Sequence, residues 1–390
     1  MRKLASIRTM GRKLASIRIV GDIREIENAQ NIEVVLVDGW EVVAKKGDFK
    51  TGDKCVYIEI DSIVPAKPEF EFLEKRRYRV RTIRLRKQVS QGIVFKPEDV
   101  GISDKYPVGK DITEELGVIK YDPQAKKEAR MREAELQKKS KFVKWMMRFG
   151  WFRVMMKGKR KNWPEWIAKT DETRIQNVPS YLVRHADAIC YATEKMDGSS
   201  ASYSLKKMGK FLWFKDLIFT VCSRNMWLKR TQQKFKNDKF EFDSNNYWAA
   251  AKKYNLEIKL RELDKELVIQ GEILGEGIQK NKYKIKPNDI KLRVYNIYDI
   301  KRDVWLGANG IKTYCKALGL EMVPVVWTGR LKDLGTTVPE VVEKSKGKSL
   351  LNPKIHREGI VIRQILAEEG KRGLSFKAIN PDFLLKYDDE

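Results

Sequence analysis

Histidine is nearly absent from this 390-residue chain: only His185 and His356 occur. A histidine-built metal site or a Ser-His-Asp triad has too little material. Any metal is expected to be a hard cation such as Mg²⁺, held by carboxylates and water. Cysteine is scarce too, at positions 55, 190, 222 and 315, with no C-x-x-C pair. That spacing reads as neither a disulfide framework nor a zinc ribbon. Free, reduced thiols favour an intracellular compartment, with the cytoplasm as the expected location. No apolar run reaches the roughly 18 residues that a membrane-spanning helix needs, so no stable membrane association is expected. Acidic residues are outnumbered, 53 against 79 Lys and Arg, for a net charge of +26. Such an excess points to a polyanionic partner, nucleic acid first, with a merely basic soluble protein as the plainer alternative. Apolar residues make up 42%, enough for real cores and against a mostly disordered chain. The length allows one to three domains.

The amino terminus repeats itself: RKLASIR stands at 2–8 and again at 12–18. One ten-residue duplication is not a solenoid. The stretch before Asp22 is acid-free and Arg-rich, a weak likeness to a transit peptide. The second copy runs into a strand pattern, so residues 1–11 read as an extension, with Met10 as an alternative start. Residues 12–105 read as short strands separated by turns. Runs at 32–37 and 40–44 flank Asp38-Gly39, a strong hairpin signal. Five or six strands in so short a stretch predict an OB-type β-barrel. Along 78–85 arginines alternate; Arg79 and Arg81 on one strand face either track a phosphate backbone or form a solvated face.

Residues 106–165 read as a basic helical connector. Within 124–161 there are 14 basic residues against 3 acidic ones, with Phe142, Trp145, Met146, Phe149, Phe152 and Met156 at helical spacing. This segment docks on the body, grips RNA or lies on a membrane surface. From 166 to 390 strands and helices mix, which gives an α+β class for the chain as a whole.

The chemistry concentrates after 166. TEKMDGSS at 193–200 contains K-x-D-G. A lysine before a tight Asp-Gly turn is suited to be a pocketed nucleophile, provided its proton affinity is lowered. Alone, the tetrapeptide is equally a surface turn. Five segments follow in order: CSRN at 222–225, LVIQGE at 267–272, VYNIYDI at 294–300, REGIVIR at 357–363 and LSFK at 374–377. Each alone reads as a strand end, a core aromatic or a solvated charge.

As an ordered set they resemble the motif series of covalent nucleotidyltransferases, the ATP-dependent ligases and mRNA capping enzymes. The closer resemblance is to RNA ligases, in particular the RNA ligase 5 family, with an OB domain before a nucleotidyltransferase (ATP-grasp-like ligase) domain. KTDETRIQN at 169–177, GEGIQKNKY at 275–283 and residues 375–386 look like that family too. The likeness covers roughly 12–122 and 162–390, with 124–161 as an insertion.

The resemblance implies that Lys195 attacks the ATP α-phosphate, giving lysyl-AMP. AMP then passes to an RNA 5′-phosphate, and a 3′-hydroxyl displaces it. Thr193 and Glu194 would flank the adenine. Arg224 would meet the ribose or the RNA 5′-phosphate. Glu272, Glu358 and Asp197 would serve the hydrated Mg²⁺ (or Mn²⁺), with Glu272 also on the ribose. Tyr298 would stack on adenine, with Tyr295 on the opposite strand face as the fallback. Lys377 would reach the α-phosphate, and Arg174 and Gln176 would contact RNA. The family's last motif is commonly K-x-K, but Ser375 stands at the first lysine position, with Lys371 or Arg372 as candidate replacements. The implied substrate is a nicked duplex or RNA–DNA hybrid with an RNA 3′-OH strand, and the expected state is a monomer. A DNA ligase or capping enzyme would want an OB domain after the last lysine motif, where only 13 residues follow Lys377. A non-catalytic RNA-binding protein on a ligase-like scaffold is the alternative from another class, against which Lys195, Glu272 and Glu358 together argue.

Overall fold

Valine and isoleucine recur every second residue through much of 15–45, the period at which side chains share one face of a strand. In the computed structural model these residues form the strands Ala15–Glu25, Ile32–Val37 and Trp40–Lys45. The structure describes residues 13–121, 148–149, 163–169, 171–210, 214–228, 245–365 and 373–387. The first RKLASIR copy, almost all of 124–161, and Lys371 and Arg372 lie outside the described residues. The chain divides into two units, residues 1–161 and 162–390.

In the first unit the sheet order is Trp40–Lys45, Ile32–Val37, Ala15–Glu25, Lys54–Ile58, Ile93–Phe95. The Asp38-Gly39 turn pairs Val37 with Trp40, and Asp38 takes the left-handed conformation at φ 52°. Arg18 pairs with the Asp38 carboxylate at 2.9 Å. The long first strand pairs on both sides and carries an irregularity between Val20 and Ile23. A bulge bends a strand, and the sheet curls into a nearly closed barrel, Val43 N–H donating to Ser90 Oγ at 3.0 Å. This is an OB-fold. Trp40, Val35, Val37 and Ile58 are fully buried in it, each such side chain stabilising the fold by about 1.5–3 kcal/mol. Residues 106–121, which composition assigns to the connector, pack back here. Thr113 Oγ1 accepts from Leu14 N–H at 3.0 Å, and Ile119 pairs with Ile63.

The second unit holds two antiparallel systems. The small sheet runs Val325–Arg330, Ile189–Lys195, Gly359–Gln364, Ser375–Ile379. The large sheet runs Trp227–Leu228, Phe214–Cys222, Ser199–Lys210, Leu267–Gly275, Ile290–Asp299, Val304–Trp305, with Glu321–Met322 added in parallel. Helices Asn246–Lys253, Leu256–Glu262 and Ala308–Leu318 contribute to the core of the large sheet. Helix Val338–Ser345 contributes to that of the small one. All four cysteines are free and buried. Among the described residues no helix is long and apolar enough to cross a membrane.

Candidate active site

The K-x-D-G stretch links the two sheets of the second unit. Strand Ile189–Lys195 of the small sheet ends on Lys195, and Ser199 opens a strand of the large sheet. Between them the chain turns tightly at Gly198. A Cβ there would lie 2.5 Å from Ile273 O and 2.8 Å from Glu272 Cγ, so only glycine lets the turn press against the strand bearing Glu272.

Three carboxylates surround the Lys195 amine. Glu358 Oε1 lies 2.5 Å from Lys195 Nζ, and both groups are largely shielded. Glu272 accepts the Gly198 N–H. Burial pulls the proton affinity of Lys195 down, but Glu358, Glu272 and Asp197 outweigh it and the net direction is up. Burial pushes Glu358 up, and pushes Glu272 up to about 8, with repulsion from Glu358 and Asp197 added. Free of ligands, the cluster therefore holds Lys195 protonated, and the carboxylates want cations. Glu358 Oε2 is buried without a hydrogen-bond partner. An all-oxygen donor set short of positive charge fits a hard divalent cation. Among the described residues no group of three or more His, Cys, Asp or Glu is placed to hold an ion alone, so an ion here would keep much of its water.

Cations gather beside this cluster. Lys377 and Arg224 share Asp171, at 2.9 Å and 3.1 Å. Burial, reinforced by Lys195 and Arg174, lowers Lys377 to about 8 against the pull of Asp171. Arg174 is buried and bridges Lys377 through the main chain. Ser375, at the first lysine position of the last motif, donates to Glu172 Oε2 at 2.6 Å. Glu172 also pairs with Arg363, the cross-strand neighbour of Ser375, at 3.4 Å. The neighbouring guanidinium thus supplies positive charge beside Ser375.

Glu194 is buried at 1% exposure. Its Oε2 accepts the Leu350 N–H at 2.8 Å, while Oε1 has no hydrogen-bond partner, and burial raises its proton affinity. Thr193 Oγ1 accepts from Arg363 at 3.3 Å. Asp197 is ion-paired with Lys282 at 2.5 Å. The two tyrosines separate. Tyr298 is 7% exposed and packs with Trp166, Ile167, Cys222 and Val268, donating to Asp303. Tyr295 is half-buried beside Met196 and bonds Ser200 Oγ at 2.7 Å. Both lie on the sheet face that carries Glu272, not on opposite faces as alternation predicts: Tyr295 touches residues beside the Lys195 turn, and Tyr298 packs farther along the strand.

Of the residues expected to meet RNA, Gln176 is 1% exposed, inside the fold. Arg79 and Arg81 lie in the other unit, half-buried, and the Arg79 guanidinium covers the Tyr121 ring at 3.7 Å. Asp171, Glu172, Lys282 and Arg363 took no role in the sequence reading. All four lie inside the quoted stretches 169–177, 275–283 and 357–363, but their partners lie 53 to 206 residues away.

An OB-fold unit, and a second unit that buries a lysine among carboxylates where its own two sheets meet, define a nucleotidyltransferase-type ligase architecture. An OB-fold domain model matches residues 14–97, and an RNA ligase model matches 189–379. A Naegleria gruberi RNA ligase solved with pyrophosphate is 31% identical, over 97% of this chain and 100% of that one, with a TM-score of 0.75. Variants of that enzyme solved with ATP and Mn, and with AMP and Mn, match at the same identity, coverage and score. No curated protein sequence matches. This chain belongs to the RNA ligase family.

Proposed function

We propose that the chain seals RNA breaks bearing a 3′-OH and a 5′-phosphate, using ATP and a divalent cation, through lysyl-AMP. The observation that carries this reading is Lys195 Nζ, 2.5 Å from Glu358 and ringed by carboxylates, with Lys377 alongside. In the first step the Lys195 amine attacks the ATP α-phosphorus. A P–N bond forms, the bond to the β-phosphate oxygen breaks, and pyrophosphate leaves. An RNA 5′-phosphate oxygen then displaces the lysine, giving a 5′-5′ pyrophosphate-linked AMP. A 3′-hydroxyl attacks the RNA 5′-phosphorus and AMP departs. A divalent cation held by Glu272 and Glu358 through water would neutralise these carboxylates, weakening their hold on the Lys195 proton. Lys377 places positive charge where phosphate charge develops.

Glu194 Oε1, a buried acceptor with no donor, suits the exocyclic amine of adenine, which guanine lacks at that position. Of the two tyrosines on this face, Tyr295, beside the Lys195 turn and half-buried, is the ring proposed for the base. Tyr295→Ala should raise KM for ATP roughly tenfold, the worth of one base–aromatic stack. Tyr298→Ala should instead destabilise the fold by about 3–5 kcal/mol. Steady-state kinetics and urea unfolding of both variants check the contrast; a raised KM only in Tyr298→Ala would reverse the assignment.

The substrate proposed is a nick in a duplex whose 3′-OH strand is RNA. Duplexes with RNA or DNA on each side of the nick test it. Sealing should require RNA at the 3′-OH side, and equal sealing of an all-DNA nick would overturn this choice. Binding should weaken steeply with salt, as expected for a +26 chain on phosphates.

A further inference from the structure

Lys282 performs no step above, yet it touches the nucleophile's turn and the chain's last helix at once. Its Nζ lies 2.5 Å from Asp197 Oδ2, two residues after Lys195. The same ammonium stands 5.0 Å over the Phe383 ring and 4.9 Å over the Tyr387 ring. Both rings belong to helix Pro381–Tyr387, and they pack on each other at 4.8 Å. The Lys282 side chain is 13% exposed and that of Asp197 16%. Its carbonyl is fixed as well, accepting Asn352 Nδ2 at 3.0 Å.

Neighbours on the same loop grip the same turn. Tyr283 Oη accepts the Asp197 N–H at 2.8 Å, and Gln279 Nε2 donates to Gly198 O at 3.4 Å. Residues 279–283 therefore hold 197–198 by one ion pair and two hydrogen bonds. Only the ion pair extends beyond the turn. An ammonium can donate to a carboxylate while resting its charge against aromatic faces. Without it Asp197 would be a shielded carboxylate near Glu358 and Glu272, free to swing away from them.

We propose that Lys282 is a positioning residue for adenylyl transfer: it fixes Asp197 beside Lys195 and makes the transfer depend on docking of the helix Pro381–Tyr387. The inference rests on the reading of Lys195 as the residue that takes AMP. Helix docking stabilises the ammonium's place, the ammonium sets the carboxylate, and the carboxylate completes the charge around the nucleophile.

Full-length protein tests this with Lys282→Met, Lys282→Arg and the double variant Phe383→Leu/Tyr387→Leu. Covalent labelling by ATP radioactive in its α-phosphate reads the transfer. Backbone amide exchange over 382–387 reads the helix without any turnover. Lys282→Met keeps the stem and removes the charge; it should label roughly tenfold or more slowly and exchange faster across the helix. Lys282→Arg should restore much of both. The double variant substitutes neither partner of the ion pair nor any side chain around Lys195, but removes the rings that hold the ammonium, and should slow labelling in step with its faster exchange. Wild-type labelling rates in Lys282→Met, or faster helix exchange with unchanged labelling in the double variant, would overturn the proposal. A wild-type protein that takes no label would instead remove the ligase reading beneath it.

Discussion

Lys195→Ala protein incubated with α-labelled ATP and Mg²⁺ carries no radioactivity, while the wild-type chain becomes labelled. The loss should be at least about 10⁴-fold, since a covalent step has lost its nucleophile and no neighbour replaces it. Among the described residues the lysines with site contacts, Lys282 and Lys377, are committed to Asp197 and Asp171. The linkage can be identified by its chemistry: a phosphoramidate is labile in acid and stable in alkali, unlike a phosphate ester or acyl phosphate. The same variant should still join RNA that already carries the 5′-linked AMP. In that step the attacking group is the 3′-hydroxyl and the leaving group is AMP, so the Lys195 amine forms no bond. Glu272, Glu358 and Lys377 remain to serve it, and sealing of the pre-adenylated strand should fall by no more than about a hundredfold. Label surviving in Lys195→Ala, or loss of both activities together, would show that Lys195 is not the adenylated residue but part of the scaffold.

How much of this was legible follows from how far each signal reaches along the chain. The Asp38-Gly39 hairpin was legible because a two-residue turn encodes its own geometry. The Lys195 turn was legible because K-x-D-G is written in four consecutive residues at a strand end, although what forbids a Cβ at Gly198 is the distant strand bearing Glu272. The tyrosines show the limit. Tyr295 and Tyr298 are three apart on one strand, and period-two alternation would put them on opposite faces. Both instead lie on the face that carries Glu272, because Val294 and Ile297 are the pair that point into the core. Which of the two is covered depends on packing from elsewhere: Trp166 and Ile167 pack on Tyr298. The register also shifts between Gln270 and Gly271, beside Glu272. Ser375 looked like a missing charge because Arg363, its cross-strand partner, is twelve positions upstream and becomes its neighbour only through sheet pairing. Gln176 looked like a contact residue because a polar side chain in a quoted stretch gives no sign of its own burial.

Lys377 should give adenylation an alkaline limit near pH 8. Its ammonium is charged below about 8 and neutral above, because burial lowers its proton affinity. The benefit it supplies, positive charge facing the phosphate, is therefore present below that value and lost as pH rises through it. Lys377→Met removes the charge at every pH, and labelling should fall by about 10²–10³-fold, the worth of one placed charge-stabilising donor. Two milder variants should move the limit in opposite directions. A guanidinium stays charged throughout the working range, so Lys377→Arg should carry activity further into alkali, at a lower maximum if its planar head fits the pocket less well. Asp171→Asn removes the carboxylate that holds the Lys377 proton, so its limit should shift to lower pH. Labelling rates from pH 6 to 10 measure all four proteins. An alkaline limb that stays at one pH in wild type, Lys377→Arg and Asp171→Asn would assign it to another group. Opposite shifts would show that Asp171, a carboxylate shared between two cations of the site, tunes the lysine as well as neutralising it. Lys377 holds Asp171 Oδ1, and the other oxygen, Oδ2, accepts from Arg224. An incoming phosphate must therefore displace a carboxylate already in place, and affinity for pyrophosphate should rise in Asp171→Asn at pH 6–7, where Lys377 keeps its charge.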